Sequence, residues 1–371
     1  MARRGNGEGN VRQRPSGTWE ASVSFDGHRF YVRRNSQAEA RRALAELKQQ
    51  HAAAELVAPS RVTVAQHLAT WTEANTENWR PRTVVGYEGI IRNYLLPVWG
   101  SRKLQSLSAA DIAQQYGRWQ KAGVGARTLA IIHARLHRAL RQAVLWGVIP
   151  RNPADSVEPP RSVYRRPELW TVEQTRKFVA SLDGTEWHGT LAALMLGGGL
   201  RLGEAMGLRW TDIDFDSAVV SVARTRTVVR RRFVEGEPKT PAAMRAVTLP
   251  AFSLAVLRQW RKVQSARRLV SGPEWLGESR IVTLPDGRTP SGTQASYWLD
   301  DRTAAVELPR LRNHDLRHLS ASLALAAGIT LPDVSRRLGH ANPAVTAGTY
   351  AHCLERSDQH VADAIGRAVG V

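Results

Sequence analysis

The stretch Ala126-Arg-Thr-Leu-Ala-Ile-Ile-His-Ala-Arg-Leu-His-Arg-Ala-Leu-Arg-Gln-Ala-Val-Leu-Trp146 decides the fold class. Leu129, Ile132, Leu136, Leu140 and Val144 recur at spacings of three and four, the period of one helical face. Arg127, Arg135, Arg138 and Arg141 stand off that stripe. Such a helix packs on one side, and its basic residues, Arg135 and Arg138 among them, suit contact with a DNA backbone; a merely solvated face is the commoner alternative. Upstream, Ser108-Ala-Ala-Asp111 opens a second helix and Arg80-Pro-Arg-Thr83 precedes a third, so residues 61–149 read as helix-rich. Downstream, five prolines between residues 150 and 167 mark an interdomain linker.

Ala58-Pro-Ser60 reads as an earlier linker. Residues 1–17, rich in Gly, Asn and Arg, are expected to form a flexible arm. From Thr18 to Arg34, Trp19, Ala21, Val23 and Phe25 alternate and Asp26-Gly27 signals a turn, which predicts two short strands. Ser36-Gln-Ala-Glu39 then opens a helix to about Ala54. Arg29, Arg33 and Arg34 lie on the strands, which suits a sheet laid into a DNA groove; a solvated basic face fits equally well. Beyond the prolines, Thr171-Val-Glu-Gln174 is another capping box. Turns at Asp214–Ser217 and Gly236–Lys239 bracket a β-rich run, Val219–Val229, and Ala246–Leu249 adds a strand, so a three-stranded sheet is expected inside a helical domain. The class is mainly α with small β-sheets, in three domains: 1–57, 58–155 and 156–371.

Lys and Arg number 52 against 33 acidic residues, a net charge of +19 in 371 residues. That field attracts polyanions, nucleic acid first among them, although an Arg-rich soluble protein is an ordinary alternative. The basic residues are spread along the chain, which argues against a membrane surface, and no apolar run approaches the roughly 18 residues of a span. No apolar segment follows the basic start, so a secretory signal is not expected. The lone Cys353 excludes an internal disulfide and a Cys-rich zinc site, and a cytoplasmic setting is the simplest expectation.

Four segments of the third domain carry polar residues that make sense together: Gly199–Trp210, Pro238–Arg245, His314-Asp-Leu-Arg-His318, and Leu338-Gly-His340 with Thr349-Tyr-Ala-His352. Singly, each has an ordinary explanation. Arg201 pairs with Glu204 one helical turn on, Lys239 is a turn lysine, and Tyr350 is a core aromatic. His314 and His318 share a helical face as a metal pair would, but no Cys or placed carboxylate completes a site. The three glycines at 197–199 lack the Lys-Ser/Thr of a phosphate loop.

In order and spacing these segments resemble the tyrosine recombinases, specifically the phage-type integrases. The resemblance puts the family's first arginine on Arg201, its hairpin lysine on Lys239 and its His-x-x-Arg box on His314 and Arg317. Its Leu-Gly-His box falls on His340, and its nucleophile on Tyr350. Ala243 departs from a serine common in relatives. Leu145–Pro153 resembles the family's helix end and linker, and the first 57 residues resemble the arm-site-binding domain of bivalent integrases.

The chemistry implied is cleavage and rejoining of DNA through a 3′-phosphotyrosyl link, with no cofactor and no metal. Two arginines, Arg201 and Arg317, with donors from His340, hold the non-bridging oxygens of an anionic phosphodiester. A tyrosine hydroxyl with an ordinary pKa near 10 needs that cationic site and a base, here expected to be His314. Lys239 protonates the leaving oxygen, and Glu204 orients Arg201. Five arginines between 224 and 232 (Arg224, Arg226, Arg230, Arg231 and Arg232) are expected to touch the DNA backbone.

The resemblance further implies double-stranded DNA with core-type and arm-type sites and a homotetramer on DNA. A host DNA-bending protein and an excisionase are its implied accessory partners. The stripe Val361, Ala364, Ile365, Ala368 packs either on a neighbouring subunit or on its own. Alternatives within the chemistry are a chromosome-dimer resolving recombinase, whose usual form lacks an arm-binding domain, and a type IB topoisomerase. Outside it stand a non-catalytic DNA-binding regulator and a metal-dependent phosphodiesterase.

Overall fold

The computed structural model describes residues 8–25, 27–52, 56–161, 168–230, 232–238, 241–342, 344, 346–347, 350, 362–363, 365–367 and 369–370. The chain divides into two compact units, residues 1–164 and 165–371.

The first unit begins with an antiparallel sheet of β1 (Asn10–Gln13), β2 (Trp19–Phe25) and β3 (His28–Arg34). Only β2 and β3 were legible as strands; β1 lies in the segment expected to be a flexible arm. It is held by pairing: Val11 stands opposite Ala21 and Arg12 opposite Glu20. Arg12 Nη2 reaches the Glu20 carboxylate at 2.8 Å, and Arg14 and Arg33 flank the same group. Helix α1 (Gln37–Ala52), capped by Ser36, buries Ala40, Ala43 and Leu47 on the sheet side, where Val23 and Phe30 are also buried.

The rest of this unit is a helical bundle. Thr63 and Gln66 cap α2 (Val64–Thr76) in a reciprocal box, and Pro81 opens α3 (Pro81–Ile90) at the position where a missing N–H costs nothing. A wider helical turn, Ile91–Leu95, leads to α4 (Leu96–Trp99). Ser108 and Asp111 cap α5 (Ala109–Lys121), as the sequence predicts. Helix α6 (Ala126–Leu145) buries Leu129, Ile132, Leu136 and Leu140 completely. At about 1.5–3 kcal/mol per buried leucine or isoleucine, this stripe dominates the bundle. Ile149, Ala154 and Val157 join the same core, and Asn152 caps a short 3-10 turn at Pro153–Ser156. The first half of the proline-rich segment is therefore packed structure and not linker: an Asn cap followed by proline suits the start of a helical turn.

In the second unit α7 (Val172–Ala180) starts at its Thr171–Gln174 capping box. Every residue of α8 (Trp187–Gly197) except His188 is buried. A Cβ on Gly197 would run into Ser253 of α10 (Ala251–Ser271), so glycine sets that close approach. Next comes α9 (Leu202–Gly207). The predicted single sheet is in fact two. Strands β4 (Ile213–Asp214), β5 (Val219–Val222) and β8 (Arg245–Thr248) form one, and β6 (Thr225–Val229) with β7 (Arg232–Gly236) a separate hairpin. The run 219–229 breaks at Arg224, whose guanidinium pairs with Asp212 and Glu235. Helices α11 (Gly292–Ala305), α12 (Asn313–Ala326) and α13 (Leu331–Leu338) follow, and α12 packs on α8.

Candidate functional site

Arg201 immediately precedes α9, and Glu204 sits in that helix's first turn. The Glu204 carboxylate is 1% exposed, yet it takes charge from three sides. One oxygen accepts Arg201 Nη1 at 2.7 Å; the other accepts the Arg201 backbone N–H at 2.9 Å and Arg245 Nη2 at 3.0 Å. Arg317 Nη1 lies 3.9 Å from the second oxygen. Burial pushes the Glu204 carboxyl up, but Arg245 and Arg201 more than offset it and hold it below its ordinary value.

Helix α12 presents His314, Arg317 and His318. The Arg317 side chain is 2% exposed. Its Nη1 donates to the Gly199 carbonyl at 2.6 Å and its Nη2 to the Leu338 carbonyl at 2.6 Å, with His340 Nε2 at 3.0 Å. Burial and the neighbouring Arg201 pull its pKa down to about 9. The Gly-Gly-Gly turn thus serves Arg317: Gly199, at φ 62°, aims its carbonyl at that guanidinium. Gly339 ends α13 in the left-handed conformation (φ 65°) and its carbonyl receives Arg201 Nη2 at 3.4 Å.

His340 follows. Its Nδ1 lies 2.7 Å from Thr346 Oγ1. Burial, then Arg317 and Arg201, lower its pKa to about 4, so the ring is neutral at pH 7. Nε2 accepts from Arg317 and Nδ1–H donates to Thr346; the N–H that His340 is expected to offer a phosphate is, in this state, turned to Thr346. The Tyr350 ring is buried among Ala321, Leu325, Val334 and Leu338, and its hydroxyl lies 2.7 Å from His318 Nδ1. The expected base, His314, is not the residue at that hydrogen bond. His314 meets His318 edge to face, ring centres 4.7 Å apart, and its pKa is lowered to about 4 by burial and then by His318.

Arg201, Glu204, His314, Arg317, His340 and Tyr350 therefore converge from three separate segments. Lys239 and Arg231 lie outside the described residues, as do Cys353, Val361, Ala364 and Ala368; Ile365 is exposed. Sequence reasoning left Arg245, His318 and Thr346 out of the site. Arg245 had a signal, since it closes the Lys-Thr-x-x-x-x-Arg spacing; Thr346 had none.

Several arginines expected at the DNA backbone also make contacts within the protein. Arg224 is held by Asp212 and Glu235. Glu235, on the hairpin leading to Lys239, also receives Arg280 Nη2 at 2.6 Å and Arg209 Nη2 at 3.2 Å. The Arg226 guanidinium stacks 4.6 Å over the Phe233 ring. Arg230 sits at the hairpin tip with φ 48°, and Arg232 is exposed. In the first unit Arg135 donates to the Gly86 carbonyl and lies 4.9 Å over Tyr87, while Arg138 lies 5.7 Å over Trp79, so both tie α6 to the α3 side of the bundle. On the N-terminal sheet Arg29 reaches Ser22 Oγ at 3.3 Å, Arg33 flanks Glu20, and Arg34 bonds the Arg33 carbonyl. Among the described residues no three His, Cys, Asp or Glu side chains group as metal ligands, and no helix is long and apolar enough to cross a membrane.

The phage integrase family model matches residues 170–356, and that of the phage integrase N-terminal SAM-like domain matches residues 63–120. The chain is 28% identical to an integrase of Streptomyces ambofaciens, over 94% of this chain and 93% of the relative. It is 27% identical to the integrase of Mycobacterium phage D29, over the full length of both. In fold it resembles the Tn1549 transposon integrase in complex with transposon right end DNA: TM-score 0.67 at 20% identity, covering 84% of this chain and all of the other. A lambda integrase dimer bound to a COC′ core site gives a TM-score of 0.56 at 18% identity, covering 94% of this chain and 96% of the other.

Proposed function

The chain belongs to the phage integrase family, and we infer that it is a site-specific recombinase with Tyr350 as its nucleophile. It joins a phage or mobile-element attachment site to a chromosomal site. The observation that carries this reading is the convergence of Arg201, Arg317 and His340 beside Tyr350, organised by one buried carboxylate, Glu204.

In this reading a DNA phosphate enters where Arg201, whose side chain is 36% exposed, faces solvent. Arg201 and Arg317 offset the charge that builds on the non-bridging oxygens; Glu204, Gly199, Leu338 and Gly339 fix the two guanidinium groups beforehand, so little reorganisation is needed in the transition state. The Tyr350 oxygen attacks phosphorus and the 5′ oxygen leaves, taking a proton from Lys239. The phosphotyrosyl bond conserves the energy of the broken linkage, so a second DNA end is joined by the reverse reaction. Residues 1–57 bind arm-type sites, 58–155 core-type sites, and 156–371 carry catalysis. The three-stranded N-terminal sheet favours such an integrase over a chromosome-dimer resolving recombinase. The working form is a tetramer on double-stranded DNA in a bacterial cytoplasm, with a host bending protein and an excisionase as accessory partners.

A nicked DNA substrate that traps the covalent intermediate tests this. The wild-type chain should form a protein–DNA adduct and Tyr350→Phe none, while Arg201→Ala should slow adduct formation by about 10²–10³-fold. DNA binding without any wild-type adduct refutes the reading.

A further inference from the structure

We propose that His318 is the residue that takes the proton from Tyr350 when the strand is cut. This rests on Tyr350 being the nucleophile, and it moves the base from His314 to the next histidine along α12.

The hydroxyl of Tyr350 and Nδ1 of His318 are 2.7 Å apart, the separation of an O–H···N bond ready for transfer. Both partners are fixed. His318 is held on α12, one turn after His314, whose ring abuts it edge to face. The Tyr350 ring is packed by Ala321 and Leu325 of the same helix and by Val334 and Leu338 of α13. Proton transfer from Tyr350 requires that His318 Nδ1 carry a lone pair. The charged and titratable groups around it agree with that. His314, Asp315 and Arg317 are its helix neighbours, Arg312 precedes the helix, and Tyr350 faces it. Burial lowers the His318 pKa and Asp315 raises it, with Arg317 and Arg312 lowering it again, and the net is below the ordinary value. Asp315 is itself occupied by Arg312, at 2.9 Å from two guanidinium nitrogens. A neutral ring with its proton on Nε2 presents its Nδ1 lone pair to the nucleophile.

In the step itself, the Tyr350 O–H bond breaks and an N–H bond forms on His318 Nδ1. The Tyr350 oxygen bonds to phosphorus as the bond to the 5′ oxygen breaks, and Lys239 protonates that oxygen. On rejoining, an incoming 5′ hydroxyl attacks phosphorus and loses its proton to the Lys239 amine, and Tyr350 leaves, recovering its proton from the His318 imidazolium. Protons and electron pairs balance without any other reactant. The nearby Arg317 charge favours the developing phenolate.

The test uses the full chain, the nicked trapping substrate at saturating concentration, and the variants His318→Ala and His318→Gln. DNA binding by gel shift and thermal melting run alongside. Both variants should bind DNA normally and form adduct about 10²–10⁴-fold more slowly, the range for loss of a positioned base. Wild-type rate should rise from acid pH and level off near neutrality; the variants' rates should keep climbing through pH 7–9, following ionisation of tyrosine itself. If His318→Ala cleaves at the wild-type rate or faster, the bond merely restrains a resting tyrosine and the proposal falls. It also falls if His318→Gln, which accepts a hydrogen bond but takes no proton, restores the wild-type rate and pH profile. Should His318→Ala unfold at the assay temperature, the glutamine variant carries the comparison. Failure of the wild-type chain to form any adduct would instead sink the recombinase reading.

Discussion

Replacing Glu204 by Gln removes one charge from a cluster that holds three arginines in place, and should unfold the second unit far more easily. The side chain is 1% exposed and Arg245 and Arg317 are 7% and 2% exposed, so water cannot replace the lost carboxylate. The substitution also turns an amide N–H₂ toward guanidinium donors that then lack an acceptor. Breaking a buried pair by removing one partner costs about 3–5 kcal/mol. The Arg201 share is discounted because that side chain is 36% exposed, so most of the loss comes from Arg245. With a urea slope of about 2–3 kcal/mol per M, the denaturation midpoint should fall by roughly 1–2 M. The pH dependence has a definite sign. The folded-state pKa of Glu204 lies below its ordinary value of 4.5, so the carboxylate's contribution is complete above that value. It is lost as pH falls through the folded-state pKa. The gap between wild type and Glu204→Gln should therefore narrow on acidification and be constant from pH 6 to 8. A variant within about 1 kcal/mol of wild type at pH 7, or a gap indifferent to acid, would refute the reasoning.

Two further outcomes are expected. Gly339→Ala places a Cβ 2.9 Å from the Ala242 carbonyl oxygen at a residue with φ 65°. It should cost about 1–2 kcal/mol in thermal unfolding and slow adduct formation by displacing the carbonyl that Arg201 uses; an unchanged melt would contradict it. Leu136→Ala hollows the centre of α6, where the side chain is fully buried. It should cost about 2–5 kcal/mol by denaturant unfolding, and a loss under 1 kcal/mol would mean that the stripe is not the bundle's core.

The helical bundle was legible because its signals are local. The α6 stripe and the Ser108–Asp111 and Thr171–Gln174 boxes depend on residues within one or two turns of each other. Strand β1 was not legible, since it is short and polar and exists by pairing with Glu20 and Ala21 of its neighbour. The division of the β-region into two sheets likewise depends on Asp212, twelve residues from the Arg224 it captures. At the site, Arg201, Arg317, His340 and Tyr350 were named together from motif order. Which histidine meets Tyr350 was not readable, because that follows from how the chain folds back over the 32 positions that separate His318 from Tyr350. The internal partners of the arginines were hidden for the same reason. Sequence shows that Arg135 and Arg224 are cationic but not that Gly86 and Asp212 engage them.

That engagement changes what the protein's positive charge does thermodynamically. Each phosphate neutralised on duplex DNA releases about 0.9 of a condensed counterion, and this sets how steeply affinity falls with salt. An arginine already matched by Glu235 or Asp212 can contribute only after its carboxylate is left behind, so it adds little to that release. The salt slope of DNA association is therefore set by the cations without an internal anion, and lies well below what 52 lysines and arginines suggest. The arginines held by carboxylates act as fixed geometry, and ionic strength governs the rest.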